Sequence, residues 1–291
     1  MAALLRFCLL FGLGFIILYP IAYMISLTFR EPAEMLDPTV VWIPKTFTLD
    51  NIKQVYSMLG YTQGAIMSAV LSLSCTVLQC FTCSLAGYGL ARFKFRGRTL
   101  FFFVAIFTLI VPPQSIMMPT YINYANFTAA TGIPLLDTAW SLILPALFGA
   151  GLRSGLFIFI FRQFYRNMPG ELEEAAYIDG CKPIAAYWRV IFPNTGAVLL
   201  TAFIFSLVWY WNDYFNVSLY FNNARPLSVL VGTFSDFLYT ARNEQGQAFT
   251  AAETLTYLQT ACLLFITPVL VLYAFLQKYF TQSVVRSGIV G

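Results

Sequence analysis

ELEEAAYIDGCKPIAAYWRVIFP, residues Glu171 to Pro193, is a charged and helix-patterned segment in a strongly apolar chain. Its first turn carries glutamates, which complement the positive end of a helix dipole. Gly180 follows the last helical residue, where a left-handed backbone costs glycine little, and Pro183 suits the first turn of another helix. The segment therefore predicts a short helix, a tight turn and a second helix.

The composition of the whole chain indicates a membrane protein. Of the 291 residues, 59% are hydrophobic and only 10% are charged. Soluble globular domains have about 25% charged residues. Several uncharged runs reach the roughly 20 residues that a helix needs to cross a bilayer. We therefore expect an all-α polytopic membrane protein.

The apolar runs predict six transmembrane helices in a single transmembrane domain, residues 1–291. Polar connections are expected at 30–53, 120–137 and 219–253, and a short interfacial or re-entrant helix at 138–151. The predicted spans are approximately 4–29, 62–91, 99–118, 146–165, 194–218 and 254–279.

The distribution of basic residues predicts the orientation of these spans. An even number of spans puts both termini on one side of the membrane. With the N-terminus inside, the cytoplasm holds eleven Lys and Arg residues against five outside. Because basic residues concentrate in cytoplasmic loops, segment 171–193 and both termini are predicted to be cytoplasmic.

The motifs of several enzyme classes are missing from the sequence. It has no G-x-x-x-x-G-K-[ST] phosphate loop, no histidine and no serine nucleophile elbow. It also lacks clusters of metal ligands, so no metal site is predicted, and it lacks the basic domain that would favour nucleic-acid binding. We expect a protein that is not an enzyme, so uphill transport would need a partner or an ion gradient.

The physical features of segment 171–193 leave two interpretations equally open. Its small apolar residues and acidic first turn suit a helix that inserts into a groove on a partner protein. The same features suit an ordinary solvated loop helix whose charges match its dipole.

A resemblance to a known family favours the first interpretation. Glu174-Ala175-Ala176, Gly180 and the run ending in Pro193 resemble the EAA loop of binding-protein-dependent ABC importers, pattern E-A-A-x3-G-x9-I-x-L-P. Val190 and Phe192 replace the Ile and Leu of that pattern. The flanking residues 162–174 and 209–214 are similar to the carbohydrate branch of these permeases. The chain resembles the shorter, six-span permease of the maltose-transporter type.

The resemblance implies the partners and the location of the chain. They are a homologous second permease, two ATPase subunits, an extracytoplasmic solute-binding protein and the lipid of a bacterial inner membrane. No cofactor is expected on this chain, and ATP and Mg²⁺ would bind to the partner ATPase. Segments 30–53 and 219–253 would face the binding protein.

The resemblance also implies which residues couple the chain to the ATPase. Glu174 would anchor the first helix electrostatically, Ala175 and Ala176 would allow close approach, and Gly180 would set the turn. The complete predicted coupling set is Glu171, Glu173, Glu174, Ala175, Ala176, Asp179, Gly180 and Pro193.

Charged residues inside predicted spans are candidates for the translocation path, because intramembrane charge is costly and usually faces a cavity or a partner. Arg153 and Asp213 are these residues. They could form a structural pair, or Arg153 could favour an acidic sugar, although arginine also binds neutral sugars. Trp211 and Asn212 combine an aromatic face with an amide, as sugar sites do. The alternative for the aromatic residues here, Trp209 and Tyr210 included, is an interfacial belt.

Two other classes of function are alternatives to a sugar importer permease. An ion-gradient-driven secondary transporter predicts intramembrane carboxylates and inverted repeats. Only Asp213 lies within a predicted span, and no convincing repeat is visible. A membrane-embedded enzyme is disfavoured by the missing histidine and metal ligands.

Overall fold

A computed structural model describes residues 2–37, 39–40, 42–223, 225–243 and 245–288, with side-chain surroundings as far as residue 278. These residues are predominantly helical and include no β-strand. Both termini are predicted to be cytoplasmic. Met1 and residues 289–291 lie outside the described part of the chain. The α-helices are α1 (Ala2–Thr28), α2 (Asp50–Met58), α3 (Tyr61–Arg92), α4 (Arg98–Phe107), α5 (Pro113–Thr131), α6 (Trp140–Leu147), α7 (Ser154–Asn167), α8 (Glu171–Ile178), α9 (Pro183–Ala186), α10 (Gly196–Trp211), α11 (Phe215–Tyr220), α12 (Leu227–Gly232), α13 (Phe234–Thr240) and α14 (Ala251–Gly288).

Among the described residues, four helical segments are long and apolar enough to cross a membrane. They are Ala3–Thr28, Tyr61–Arg92, Pro183–Trp211 and Ala251–Lys278. Many of the large apolar side chains on α1, α3 and α14 are exposed in the isolated chain, as expected for helices that contact lipid or another subunit.

The chain divides into two compact units. The first contains residues 1–67 and 225–271. Its core is formed by apolar residues of α2, α13 and α14 that are almost inaccessible to solvent, including Val55, Phe234 and Leu238. The segment 219–253, predicted as a polar connection, therefore includes two short helices with buried apolar faces. The sequence did not reveal them because each has at most seven residues.

The polar segment that follows α1 is held by side-chain hydrogen bonds within the same unit. The buried amide of Asn51 donates to the carbonyls of Thr28 and Arg30, at 3.0 and 2.7 Å. The Glu34 carboxylate accepts hydrogen bonds from the backbone N–H groups of Lys45 and Thr46. The Asn51 bonds hold the start of α2 against the end of α1.

The second unit contains residues 68–224 and 272–291. Helices α3, α7 and α10 contribute to its core, together with the turn that joins α9 to α10. Phe157, Phe161, Tyr165 and Tyr187 are the largest side chains fully buried there. This core lies directly beneath α8, the first helix of segment 171–193.

The third and fourth spans, predicted as continuous helices, are interrupted in the structure. In the range 99–118, α4 ends at Phe107, and α5 begins at Pro113 and continues to Thr131, through most of the predicted connection 120–137. The break has a steric cause, because a residue before proline avoids helical backbone, and Pro112 is extended with a ψ of 127°. In the range 146–165, α6 and α7 are separated by residues 148–153. Whether these segments cross the membrane stays a prediction.

The predicted fifth span also starts earlier than expected. Helical structure runs from Pro183 to Trp211, so the predicted second helix of segment 171–193 and the fifth span are continuous. It passes Pro193 through a π-helical turn, Tyr187–Ile191, and a 3-10 turn, Phe192–Thr195. Such irregular hydrogen bonding accommodates a proline inside a helix, because proline lacks the N–H of the regular pattern. Residues 212–214 then separate α10 from α11.

Candidate functional site

Helix α8 ends in a glycine cap of the type that the sequence predicts. Gly180 has a φ of 82°, and its N–H donates to the carbonyl of Tyr177 at 3.0 Å. The N–H of Cys181 donates to the carbonyl of Ala176 at 2.9 Å. These two bonds form a Schellman motif, which satisfies carbonyls at the helix end. The turn after α8 is therefore a defined structure that fixes the direction of the chain into Pro183.

The outer face of α8 is exposed and mixes negative charge with apolar groups. Glu171, Glu174 and Ala175 are exposed, and Ile178 at the end of the helix is 86% exposed. Asp179, also exposed, extends the negative charge of this face.

The inner face of α8 packs against the rest of its unit. Ala176 is buried, so of the two predicted alanines only Ala175 is open to a partner. Glu173 is buried as well, although its neighbours Glu171 and Glu174 are exposed. The predicted coupling residues therefore divide into an outer and an inner group.

Arg92, the last residue of α3, holds the inner face of α8. Its Nε lies 3.2 Å from a carboxylate oxygen of Glu173, and both side chains are largely buried, with 18% and 11% of their surface exposed. The N–H does not point along this contact, so it is an ion pair without a regular hydrogen bond. The Arg92 guanidinium also donates to the carbonyl of Met168, just before α8. One arginine therefore joins α3 to both α8 and its entry.

A group of tyrosines anchors the chain that follows α8. Tyr187, in the π-helical turn, is buried, and its hydroxyl lies 2.8 Å from the hydroxyl of Ser84 in α3. Tyr165 of α7 lies 2.6 Å from the same Ser84 hydroxyl. The exposed Pro193 lies in the 3-10 turn that follows. Segment 171–193 is thus fixed to α3 and α7 by a polar contact inside an apolar core.

The break between α6 and α7 is a second polar site in the same unit. Gln79 of α3 is fully buried, and its Nε2 donates to the carbonyl of Leu152 at 2.6 Å. Its Oε1 accepts a bond of 2.5 Å from the Tyr210 hydroxyl, which in turn accepts from the N–H of Leu152 at 3.2 Å. A Cβ on Gly151 would lie 2.2 Å from the Tyr210 oxygen, so the glycine is needed for this close approach. The three residues form a closed ring of hydrogen bonds around the irregular backbone.

Arg153 lies at this break, at the start of α7. It has a left-handed backbone with a φ of 53°, which is uncommon for a residue other than glycine. Its guanidinium carbon lies 4.9 Å from the centre of the Trp209 ring, a cation–π contact. The hypothesis of a structural pair between Arg153 and Asp213 stays a prediction.

The other predicted path residues lie where α10 ends. Trp211 and Asp213 are buried and Asn212 is exposed. The Asp213 carboxylate accepts hydrogen bonds from the backbone N–H and the side-chain amide of Asn216, at 3.2 and 3.1 Å. Asn212 instead donates to the carbonyl of Val208 in its own helix, at 2.8 Å. Both charged residues therefore occur at helix breaks.

Three residues of these sites were not selected from the sequence. Gln79 could have been found, because a lone amide within an apolar span usually bonds to another helix or lines a path. Arg92 was visible as part of a basic run, but its pairing with Glu173 depends on how α3 meets α8. The sequence leaves Tyr210 open between a sugar site and an interfacial belt, and nothing in it shows the bond to Gln79.

Known proteins resemble this chain over nearly its whole length. It is 31% identical over 286 residues to Protein LplC of Bacillus subtilis (strain 168), covering 96% of this chain and 92% of that protein. It is 29% identical over 290 residues to the polygalacturonan/rhamnogalacturonan transport system permease protein YtcP of the same organism, covering 98% and 96%.

A solved structure shares the fold. The chain matches one chain in the crystal structure of a bacterial ABC transporter involved in the import of the acidic polysaccharide alginate, with a TM-score of 0.76, 21% sequence identity and 96% of each chain covered. The model of one family, described as binding-protein-dependent transport system inner membrane component, matches residues 84–286, which include α8 and both helix breaks. The chain is therefore a membrane protein that belongs to the family of binding-protein-dependent transport system inner membrane components.

Proposed function

We propose that this chain is the permease subunit of an ATP-driven importer that carries an oligosaccharide across the bacterial inner membrane. A separate ATPase would dock on the outer face of α8. The observation that carries the proposal is the division of α8 into an exposed outer face and an inner face fixed to α3. Family membership supports a role as one component of a transport system.

The outer face suits a docking surface on chemical grounds. Glu171 and Glu174 would meet basic groups of the ATPase, and the small side chain of Ala175 would let the two backbones approach closely. Ile178 would enter an apolar part of the cleft. ATP and Mg²⁺ would be held by the partner, and this chain would contribute only the docking helix and its attachments.

The inner contacts would transmit the movement of the ATPase to the membrane helices. A displacement of α8 would act on α3 through the Glu173–Arg92 ion pair. It would act on α3 and α7 together through the Tyr187–Ser84–Tyr165 contact. Because these groups are buried in a packed core, they move as discrete units and do not deform continuously.

The cargo would pass near the breaks of α6–α7 and α10–α11. Irregular backbone at membrane depth is tolerated where it is buried in protein or lines a cavity, and transporter sites are often built at such breaks. Arg153 stacks on Trp209, so its N–H groups are available to a sugar hydroxyl or a carboxylate. An acidic oligosaccharide is the proposed cargo, because the exposed Arg153 would offer it a positive charge at the break. The companion permease would complete the path, and an external binding protein would deliver the cargo to segments 30–53 and 219–253.

An ion-gradient-driven mechanism is the less favoured alternative. The family is named for its dependence on a binding protein, and Asp213 is the only acidic residue within the predicted spans.

The docking proposal is tested by Ala175→Trp in the chain co-expressed with its ATPase. Because Ala175 is exposed, the variant should fold normally, yet its side chain would fill the docking space. We expect loss of co-purified ATPase and of substrate-driven ATP hydrolysis in proteoliposomes. Ala130→Trp, at an exposed alanine of α5, is the matched control and should retain the ATPase. Full retention by Ala175→Trp would contradict the docking role.

The cargo proposal is tested by Arg153→Asn, because asparagine tolerates a left-handed backbone and removes the charge. Uptake of an acidic oligosaccharide should fall by at least tenfold more than uptake of a neutral one of equal length. Equal loss for both would remove the argument from charge.

A further inference from the structure

The basic segment 92–98, sequence RFKFRGR, connects two apolar helices directly. The membrane-length helix α3 ends at Arg92, and the shorter apolar helix α4 begins at Arg98. Because α4 is predicted to enter the bilayer, a segment of this length between the two helices is expected at the boundary between the bilayer and water, whichever side it is on. Its residues are therefore in reach of lipid headgroups.

Two of its four cations form no ion pair or side-chain hydrogen bond in the part of the chain that the structure describes. Arg92 is used by Glu173 and Met168, and Arg98 contacts the carbonyl of Phe93 at 3.4 Å. Lys94 and Arg96 are exposed, and among the described residues neither forms an ion pair or a side-chain hydrogen bond. Their charges are therefore available to an external anion.

Aromatic side chains flank these cations. Phe93 and Phe95 are exposed, as is Phe101 in the first turn of α4. Residues 94–99 line a shallow surface concavity of about 450 Å³ that is open to the surroundings. Cations interleaved with aromatic rings suit a ligand that has a charged head and an apolar body.

We propose that segment 92–98 binds the headgroup of an anionic phospholipid. Lys94 and Arg96 contact the phosphate, and the rings of Phe93 and Phe95 lie at the level where the acyl chains begin. Basic residues immediately next to a membrane helix attract anionic lipids in this way. A lipid is favoured over soluble phosphate because the aromatic rings and the apolar helices on both sides would contact the acyl chains.

The test is native mass spectrometry of the full-length chain, titrated with phosphatidylglycerol, with phosphatidylcholine and with inorganic phosphate. Lys94→Gln/Arg96→Gln removes the proposed cations. Arg166→Gln/Arg189→Gln is the matched control, because it removes two exposed cations that the sequence places on the same side of the membrane. The wild-type chain should bind phosphatidylglycerol more tightly than phosphatidylcholine.

We expect Lys94→Gln/Arg96→Gln to weaken phosphatidylglycerol binding about 30-fold, which corresponds to about 1 kcal/mol for each cation. The control should change it less than threefold. Equal weakening by both variants would show a general charge effect and overturn the proposal. It would also be overturned if phosphatidylcholine bound equally well, or if inorganic phosphate alone displaced the lipid.

Discussion

We expect the ion pair between Arg92 and Glu173 to contribute to the stability of the protein and to the coupling of ATP hydrolysis to transport. At 3.2 Å, the gross attraction is about 5 kcal/mol for an effective dielectric constant near 20. Desolvation of two largely buried side chains removes much of this gain. We therefore expect a net coupling free energy of about 1–3 kcal/mol in a double-mutant cycle. Each single variant leaves the other charge uncompensated, so each should cost more than the pair itself contributes.

The cycle consists of Arg92→Gln, Glu173→Gln and the double variant. Thermal unfolding of the purified importer in detergent gives the change in stability, and the ratio of sugar transported to ATP hydrolysed in proteoliposomes gives the coupling. The double variant should be more stable than the sum of the single changes predicts. Glu171→Gln, an equal charge change on the exposed face, should alter stability by less than about 0.5 kcal/mol. A coupling free energy below about 0.5 kcal/mol would refute the argument, as would single variants with a normal transport ratio.

Three further predictions concern other parts of the chain. Gly180→Ala should destabilise the chain by about 1 kcal/mol, because the φ angle of Gly180 is positive. Gly196→Ala should stabilise the chain slightly, because Gly196 has a helical backbone, and thermal unfolding compares the two variants. Tyr210→Phe should lower the free energy of unfolding by about 1–3 kcal/mol, because it leaves Gln79 and the N–H of Leu152 unsatisfied. In thermal unfolding, Gln79→Leu/Tyr210→Phe should lose less stability than the sum of the two single variants. Hydrogen bonds from Thr46 lower the pKa of Glu34, and a hydrogen bond from Lys45 lowers the pKa of Asp37. The two ionised carboxylates should therefore stabilise residues 34–46 above about pH 4. This stabilisation should be lost as the pH falls through the lowered pKa values. Hydrogen exchange, corrected for its intrinsic pH dependence, should show this loss, and Glu34→Gln/Asp37→Asn should remove it.

The sequence predicted the long helices well and the broken ones poorly. Helices α1, α3 and α14 begin and end within a few residues of the predicted spans, apart from the longer C-terminal end of α14. Continuous apolar composition is sufficient for such helices. The break before Pro113 was visible as a double proline, but α5 continues through polar residues that read as a connection. The break at 148–153 depends on hydrogen bonds from Gln79 and Tyr210, which are distant in the sequence.

Segment 171–193 shows the same limit. The glutamates, the glycine cap and Pro183 were all recognised from local rules, and the cap has the geometry that those rules imply. Local rules treat Glu171, Glu173 and Glu174 alike, because all three lie in the first turn. Only the position of Arg92 at the end of α3 gives Glu173 an inward role and leaves the other two outside.

The exposure of Ile178 has a consequence for how this subunit is produced. Ile184, just beyond the turn, is 72% exposed, so the uncomplexed chain leaves two large apolar side chains of segment 171–193 uncovered. Under the proposed docking, chains made in excess of the ATPase would keep both side chains uncovered, and exposed apolar surface promotes aggregation. Balanced synthesis of the subunits would then protect the chain during assembly.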